Sequence, residues 1–357
     1  MDINLKLCQE FSLKLWQVEN TVKLIDDGNT IPFIARYRKE ATGSLDDQLL
    51  RSLFDRLTYL RNMEEQKEKI ISSINEQEKM TDEIMKSIEN ATTLTELDDI
   101  YRPFRPKRKT RASVAKEKGL QGLADLIYAQ NMNTKAPEEL AVDYLNDEVL
   151  TVEDAISGAK DIIAEQVSDD PAGRKMLRYS IKNNASLVVS GAKDDLGVYE
   201  MYSEYSEPVK SIPSHRVLAV NRGEKEGFLK VSIDYDKIIG LGILNNLHIK
   251  NNCKTTDSVI SAIEDAYTRL IFPSIEREIR NGLTDTANES AIEVFAKNTR
   301  QLLMQPPVKN KITLGFDPGY RTGCKLAVVD ETGKVLDTSV IYPVPPHNKV
   351  EIGRAHV

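Results

Sequence analysis

Residues 44–76, SLDDQLLRSLFDRLTYLRNMEEQKEKIISSINE, decide the fold class. Leu45, Leu49, Leu53, Leu57, Leu60, Ile70 and Ile74 recur at helical spacing, while Glu64, Glu65, Lys67, Glu68 and Lys69 fill a face expected to be solvated. Ser44 is expected to cap this helix, with Asp46 and Asp47 in the first turn where carboxylates meet the positive end of the helix dipole. An apolar stripe of this kind needs a partner, so the spacing predicts helices packed in pairs.

The same period extends upstream through Leu5, Cys8, Phe11, Leu15, Val18, Val22 and Ile25, one stripe closed by Asp26-Asp27-Gly28-Asn29. Ile31-Pro32 opens another short element. Downstream, Thr151 with Glu153 and Asp154 in its first turn opens a helix that ends before Asp170-Pro171. Leu229, Val231 and Ile233 then alternate with Lys230, Ser232 and Asp234 in the manner of a half-buried strand. Helical patterns return over 257–280 and 286–304. Gln305-Pro306-Pro307-Val308-Lys309-Asn310-Lys311 breaks any helix and sets a domain boundary. Beyond it, 312–316, 325–329 and 334–342 read as an antiparallel meander with Gly- and Asp-bearing turns. Three strands cannot cover both faces of a sheet, so they read as the opening of a larger domain.

The resulting organisation is a helical region over 1–200, a central helical region with a small strand element over 201–304, a Pro-rich linker over 305–311, and the strands within 312–350. Residues 351–357 fit no part of it. The codons GAG-ATC-GGA-AGA-GCA-CAC-GTC would encode them, so they are expected to be read-through into a sequencing adapter.

With 48 Lys+Arg against 55 Asp+Glu the chain carries a formal charge of -7, so attraction to polyanions must come from a local basic face. No run approaches the ~20 apolar residues of a membrane span, and the start lacks a basic and apolar signal segment. A cytoplasmic protein without membrane contact is expected. Cys8, Cys253 and Cys324 are far apart and form no CxxC pair, which indicates neither a disulfide framework nor a zinc cluster. No cofactor is expected.

The densest charge lies over 102–118, where eight basic residues stand against one acidic residue, Glu117. Arg102, Arg105, Lys107, Arg108, Lys109 and Arg111 are the candidate phosphate contacts. Pro103 and Pro106 prevent a continuous helix, and Tyr101 and Phe104 offer ring faces for unstacked bases. The plain alternative is a solvated basic loop paired with acidic helices. Arg36, Arg38 and Lys39 form a second basic stretch before the helix at Ser44. Helix, turn and helix suit a DNA-reading motif, although such hairpins are commoner as packing units. His215 reads as a surface or capping histidine.

Gly315-Phe316-Asp317-Pro318-Gly319 closes an apolar strand. One carboxylate does not run two-metal phosphodiester hydrolysis. Asp330 and Glu331 fall at the far end of the next strand, whereas Asp337 is expected to return toward the level of Asp317, about two strands over. The plain alternative is a turn in which Asp317 accepts local hydrogen bonds. GxxxxGK[ST], HExxH and GxSxG motifs are missing, which disfavours an autonomous hydrolase or NTPase. No catalytic or metal-ligating residue is assigned.

Five stretches resemble the Tex transcription accessory proteins of bacteria, which share architecture with the eukaryotic elongation factor Spt6. They are 29–40 (NTIPFIARYRKE), 101–108 (YRPFRPKR), 212–216 (IPSHR), 272–278 (FPSIERE) and 315–323 (GFDPGYRTG). The resemblance reaches about Lys349. It implies a mainly α chain, helical through its N-terminal and central regions with helix-turn-helix-like units, followed by the first strands of an incomplete α/β YqgF domain of RNase H-like fold. In this pattern helix-hairpin-helix modules and an S1 domain come next, and the chain is expected to be a fragment stopping before them. The S1 part is the family's expected principal nucleic-acid binder, and the YqgF domain is regarded as lacking nuclease activity. Asp317 matches the first acidic position of an RNase H-type sheet.

The leading expectation is a non-enzymatic, nucleic-acid-binding scaffold of transcription, with RNA or DNA and RNA polymerase or its associated factors as partners. The rivals are an RNase H-like nuclease or junction resolvase in the complete protein, and a helical protein-interaction module.

Overall fold

The structure, a computed structural model, describes residues 2–106, 109–306, 310–319, 322–343, 345 and 349. The deciding helix runs Asp47–Glu76, 30 residues long and about 45 Å at 1.5 Å per residue. Ser44 does not cap it. Gly43 and Ser44 both take left-handed backbone, and this double turn leaves Asp46 at the N-cap, where its carboxylate accepts the Leu49 amide at 2.8 Å.

One face of this helix enters three apolar clusters in succession. Leu50 packs with Ile34 and Leu45; Leu53, Leu57 and Leu60 pack with Leu7, Val18 and Val22; Met63, Ile70 and Ile74 pack with Ile88, Ala91 and Leu97. Lys67, expected on the solvated side, falls on the buried face instead. Its ammonium donates to the Glu89 carbonyl at 2.9 Å, near the end of the helix Asp82–Asn90, where unsatisfied carbonyls favour a cation.

The stripe from Leu5 to Ile25 is carried by two helices, Ile3–Phe11 and Leu15–Asp26, parted where Ser12 turns left-handed. Apolar spacing is blind to a break that keeps both halves against one cluster. The second helix ends as expected, with Gly28 at φ 81°.

The largest core surrounds the helix Val152–Ser168, whose Ala155, Ala159, Ile162, Ile163 and Val167 are buried. Thr151 caps it by accepting the Asp154 amide at 3.1 Å. Asp170 caps the next helix, Pro171–Asn184, through the Ala172 and Gly173 amides. A three-stranded antiparallel sheet comes after it, with Ser186–Gly191 between Glu204–Pro208 and Leu229–Asp234. The expected alternation holds over Leu229–Asp234, whose outward edge is covered: Glu276 accepts the Ile233 amide at 2.8 Å and Arg280 donates to the Val231 carbonyl at 3.0 Å. The strand Ser186–Gly191 lies where helix was expected, its period-two signal being only six residues long.

The two helical patterns expected over 257–280 and 286–304 join into one run: Thr256–Asp265, a wide π turn Ala266–Ile271, and Phe272–Leu303. Thr284, in the segment between the patterns, donates to the Arg280 carbonyl and accepts from Asn221, contacts that hold the helix through it.

The chain divides into a first compact unit ending at Ala287 and a second beginning at Asn288. In the second unit the expected meander is present: Thr313–Asp317, Cys324–Val329 and Val335–Ile341 form an antiparallel sheet with Cys324–Val329 in the middle. Cys324, Leu326 and Ile341 are its buried residues. The fold class is therefore mainly α with two small antiparallel sheets, the second near the C-terminal end of the described residues. Pro307, Val308, Lys309 and the expected adapter residues 351–357 lie outside the described residues.

Candidate nucleic-acid interface

The helix Ile31–Tyr37 places Phe33 and Tyr37 one turn apart on one face. Their rings stand 5.3 Å apart, and two guanidinium groups lie over them: Arg38 is 5.0 Å from the Phe33 ring centre and Arg36 is 5.9 Å from the Tyr37 ring centre. Arg36, Arg38 and Lys39 are exposed, and none forms an ion pair among the described residues. Tyr37 is 59% exposed. The short helix Lys39–Thr42 then ends at Gly43, where a β-carbon would come within 2.8 Å of the Trp16 ring. Glycine is required there twice over, by the positive φ of 69° and by the indole packed against the turn. Trp16 keeps 44% of its surface exposed. The region thus presents arginine forks already stacked on aromatic faces, beside further exposed ring surface.

The segment 102–118 is arranged differently. Arg102 opens a 3-10 turn, Arg102–Phe104, and lies 3.4 Å from Asp169. Arg105 pairs with Asp98 and stacks 5.7 Å from the Tyr101 ring centre. Lys116 lies 3.6 Å from Glu165. Tyr101 and Phe104, expected to offer faces to bases, are half-buried against Met63, Ile70 and Ile74, and the Tyr101 hydroxyl is 2.9 Å from the Ser73 hydroxyl. Their apolar surface is used in packing, which outweighs exposure for aromatic rings of this size.

Thr110 caps the helix Arg111–Glu117 by accepting the Ser113 amide at 3.0 Å. Lys109 and Arg111 are exposed and without an ion pair among the described residues. Arg111 still acts on Asp161: burial raises that carboxyl above its usual range, against the opposing charges of Arg269 and Arg111. Lys107 and Arg108 lie outside the described residues.

Asp317 ends its strand opposite Lys325. Asp337 does not return to its level. It pairs with Val328, which stands opposite Leu314, about 10 Å along the strand from Asp317 at ~3.3 Å per residue. Asp330 is occupied by its turn, accepting from the Thr332 and Lys334 amides at 2.8 and 3.0 Å. His215 is exposed in the first turn of the helix Ser214–Lys225.

Three family descriptions match successive parts of the chain: the Tex-like protein N-terminal domain over residues 1–75, the Tex central region-like family over 132–295, and the Tex protein YqgF-like domain over 311–357. The chain belongs to the Tex family. The transcriptional accessory protein Tex of Neisseria gonorrhoeae is 41% identical over 351 residues, 96% of this chain and 46% of that protein. The uncharacterized protein YdcI of Bacillus subtilis is 46% identical over 356 residues, 97% of this chain and 49% of its own length. More distant is the human S1 RNA-binding domain-containing protein 1, 30% identical over 357 residues, 94% of this chain and 35% of that protein. This Tex-family chain spans about half the length of its bacterial relatives. No helix among its described residues is long and apolar enough to cross a membrane.

Sequence reasoning passed over Trp16, which carries no charge signal, and the arginines of Pro171–Asn184. Arg174 and Arg178 are four residues apart and share Asp99, 75 residues away from Arg174, a pairing with no local trace.

Proposed function

We propose that this chain is the nucleic-acid-contacting helical part of a transcription accessory protein, acting as a scaffold without its own catalysis and serving RNA polymerase or its associated factors. The observation that carries the reading is the set of exposed cations Arg36, Arg38 and Lys39, two of them stacked on Phe33 and Tyr37. Guanidinium groups so held give up little freedom on meeting a phosphate, and Tyr37 adds a face on which a base can stack. Lys109 and Arg111 are further exposed cations, with Lys107 and Arg108 between them and Arg105 in sequence. Relatives named as a transcriptional accessory protein and as an S1 RNA-binding domain-containing protein support the same reading.

The test is fluorescence anisotropy with labelled single- and double-stranded oligonucleotides. Arg36→Glu combined with Arg38→Glu is expected to weaken binding more than Lys109→Glu combined with Arg111→Glu. Unaltered affinity in both double variants would remove the proposed interface. Magnesium-dependent cleavage abolished by Asp317→Asn in the complete protein would establish the nuclease reading instead.

A further inference from the structure

A cavity of about 640 Å³ opens among the helices Asp47–Glu76, Leu94–Tyr101, Pro171–Asn184 and the first turns of Phe272–Leu303. Six cations line it: Lys69, Arg102, Arg105, Arg174, Arg178 and Arg277. Three carboxylates, Asp98, Asp99 and Glu278, stand against them. Glu65 and Asp169 lie outside the lining and pair with Lys69 at 2.6 Å and Arg102 at 3.4 Å, so six cations still meet five carboxylates. Arg277 is exposed and has no ion pair among the described residues.

The decisive group is Arg174, only 3% exposed. Its Nε donates to Asp99 at 3.0 Å and its Nη2 to the Ser274 hydroxyl at 3.1 Å, but its buried Nη1 has no hydrogen-bond partner. The buried Nε of Arg102 makes no hydrogen bond and faces the Asp169 carboxylate at 3.4 Å, too far to be satisfied by it. Asp99 cannot serve them further, because Arg178 takes its other oxygen at 2.9 Å and then reaches Glu278 at 2.5 Å. A charged N–H buried without an acceptor is strongly unfavourable. Burial, and after it the neighbouring charge of Arg102, pushes the Arg174 guanidinium below its usual range. An oxyanion in the cavity would answer both the missing acceptor and the crowding of like charges.

We propose that this cavity binds a phosphate group, with the guanidinium groups of Arg174, Arg102 and Arg277, all in its lining, as donors. A guanidinium fork matches two oxygens of a tetrahedral oxyanion, which a lysine ammonium does not. The volume lies in the range of small-molecule sites, so the phosphate is free, borne by a nucleotide, or the end of a nucleic-acid strand. This site is independent of the surface formed by Arg36 and Arg38.

Calorimetric titration of the chain with inorganic phosphate, a nucleoside 5′-monophosphate, and a short oligonucleotide with and without a 5′-phosphate separates these sources. At least one phosphate-bearing probe is expected to bind saturably, and for the oligonucleotide the 5′-phosphate is to be worth the difference between the pair. Arg277→Ala, a change at an exposed position, is expected to leave the melting temperature unaltered and to weaken that phosphate-dependent binding about tenfold or more. Arg36→Glu is expected to leave it unchanged, even if general oligonucleotide binding falls. Failure of every probe to show phosphate-dependent binding, or binding indifferent to Arg277→Ala, would overturn the proposal.

Discussion

The carboxylate of Asp99 accepts a hydrogen bond from Arg174 Nε at 3.0 Å, and both residues are almost wholly buried, at 4% and 3% exposure. The pair fastens the helix Leu94–Tyr101 to the helix Pro171–Asn184, joining segments far apart in the chain. Removing one member leaves the other charge buried without compensation. Asp99→Ala is therefore expected to lower stability by about 3–5 kcal/mol, measured by urea denaturation. A decrease below about 1 kcal/mol would mean that the two helices are held mainly by their other contacts.

Lys67 has a comparable role on a smaller scale. Its ammonium satisfies the Glu89 carbonyl, with Glu64 3.4 Å away. Lys67→Ala should cost about 1–3 kcal/mol, whereas Lys69→Ala, at a position whose ion pair with Glu65 is exposed, should stay within about 0.5 kcal/mol. Equal effects of the two substitutions would show that burial of Lys67 carries no energetic weight.

Glu96 gives the fold a defined acid response. It accepts from the Thr92 amide at 2.9 Å and from the Lys175 ammonium at 2.9 Å, and these contacts, the backbone one foremost, hold its carboxyl down from 4.5 to about 2. Because the folded value lies below the unfolded one, the stabilisation is present above pH 4.5 and is lost as the pH falls through about 2. Glu96→Gln should lower the melting temperature at neutral pH, and its difference from the parent chain should shrink between pH 4.5 and about 2. A difference that stays constant across that window would assign the contact no ionic contribution.

Much of the architecture was legible because it depends on local signals. The apolar period of residues 44–76, the Thr151 cap, the alternation at Leu229–Asp234 and the meander beyond the Pro-Pro segment each lie within a few residues of sequence. What escaped was set by tertiary contacts. Lys67 looked solvated because its carbonyl partner is 22 residues away, and the strand Ser186–Gly191 is specified by two neighbours rather than by its own length. The candidate interface divides in the same way. Charge density pointed to 102–118, where Asp169 and Glu165 reach Arg102 and Lys116 across the fold and Asp98, seven residues upstream, pairs with Arg105, while the sparser group at Arg36, Arg38 and Lys39 is exposed without an ion pair among the described residues.

The proposed function rests on the cations Arg36, Arg38 and Lys39 meeting a phosphate backbone. The most direct test is the slope of log affinity against log salt for a single-stranded oligonucleotide, in the parent chain and in the variant carrying Arg36→Glu, Arg38→Glu and Lys39→Glu. Each phosphate no longer neutralised should make the slope shallower by about 0.7, so a change of about 2 is expected for the three cations together. An identical slope in both proteins would contradict the account.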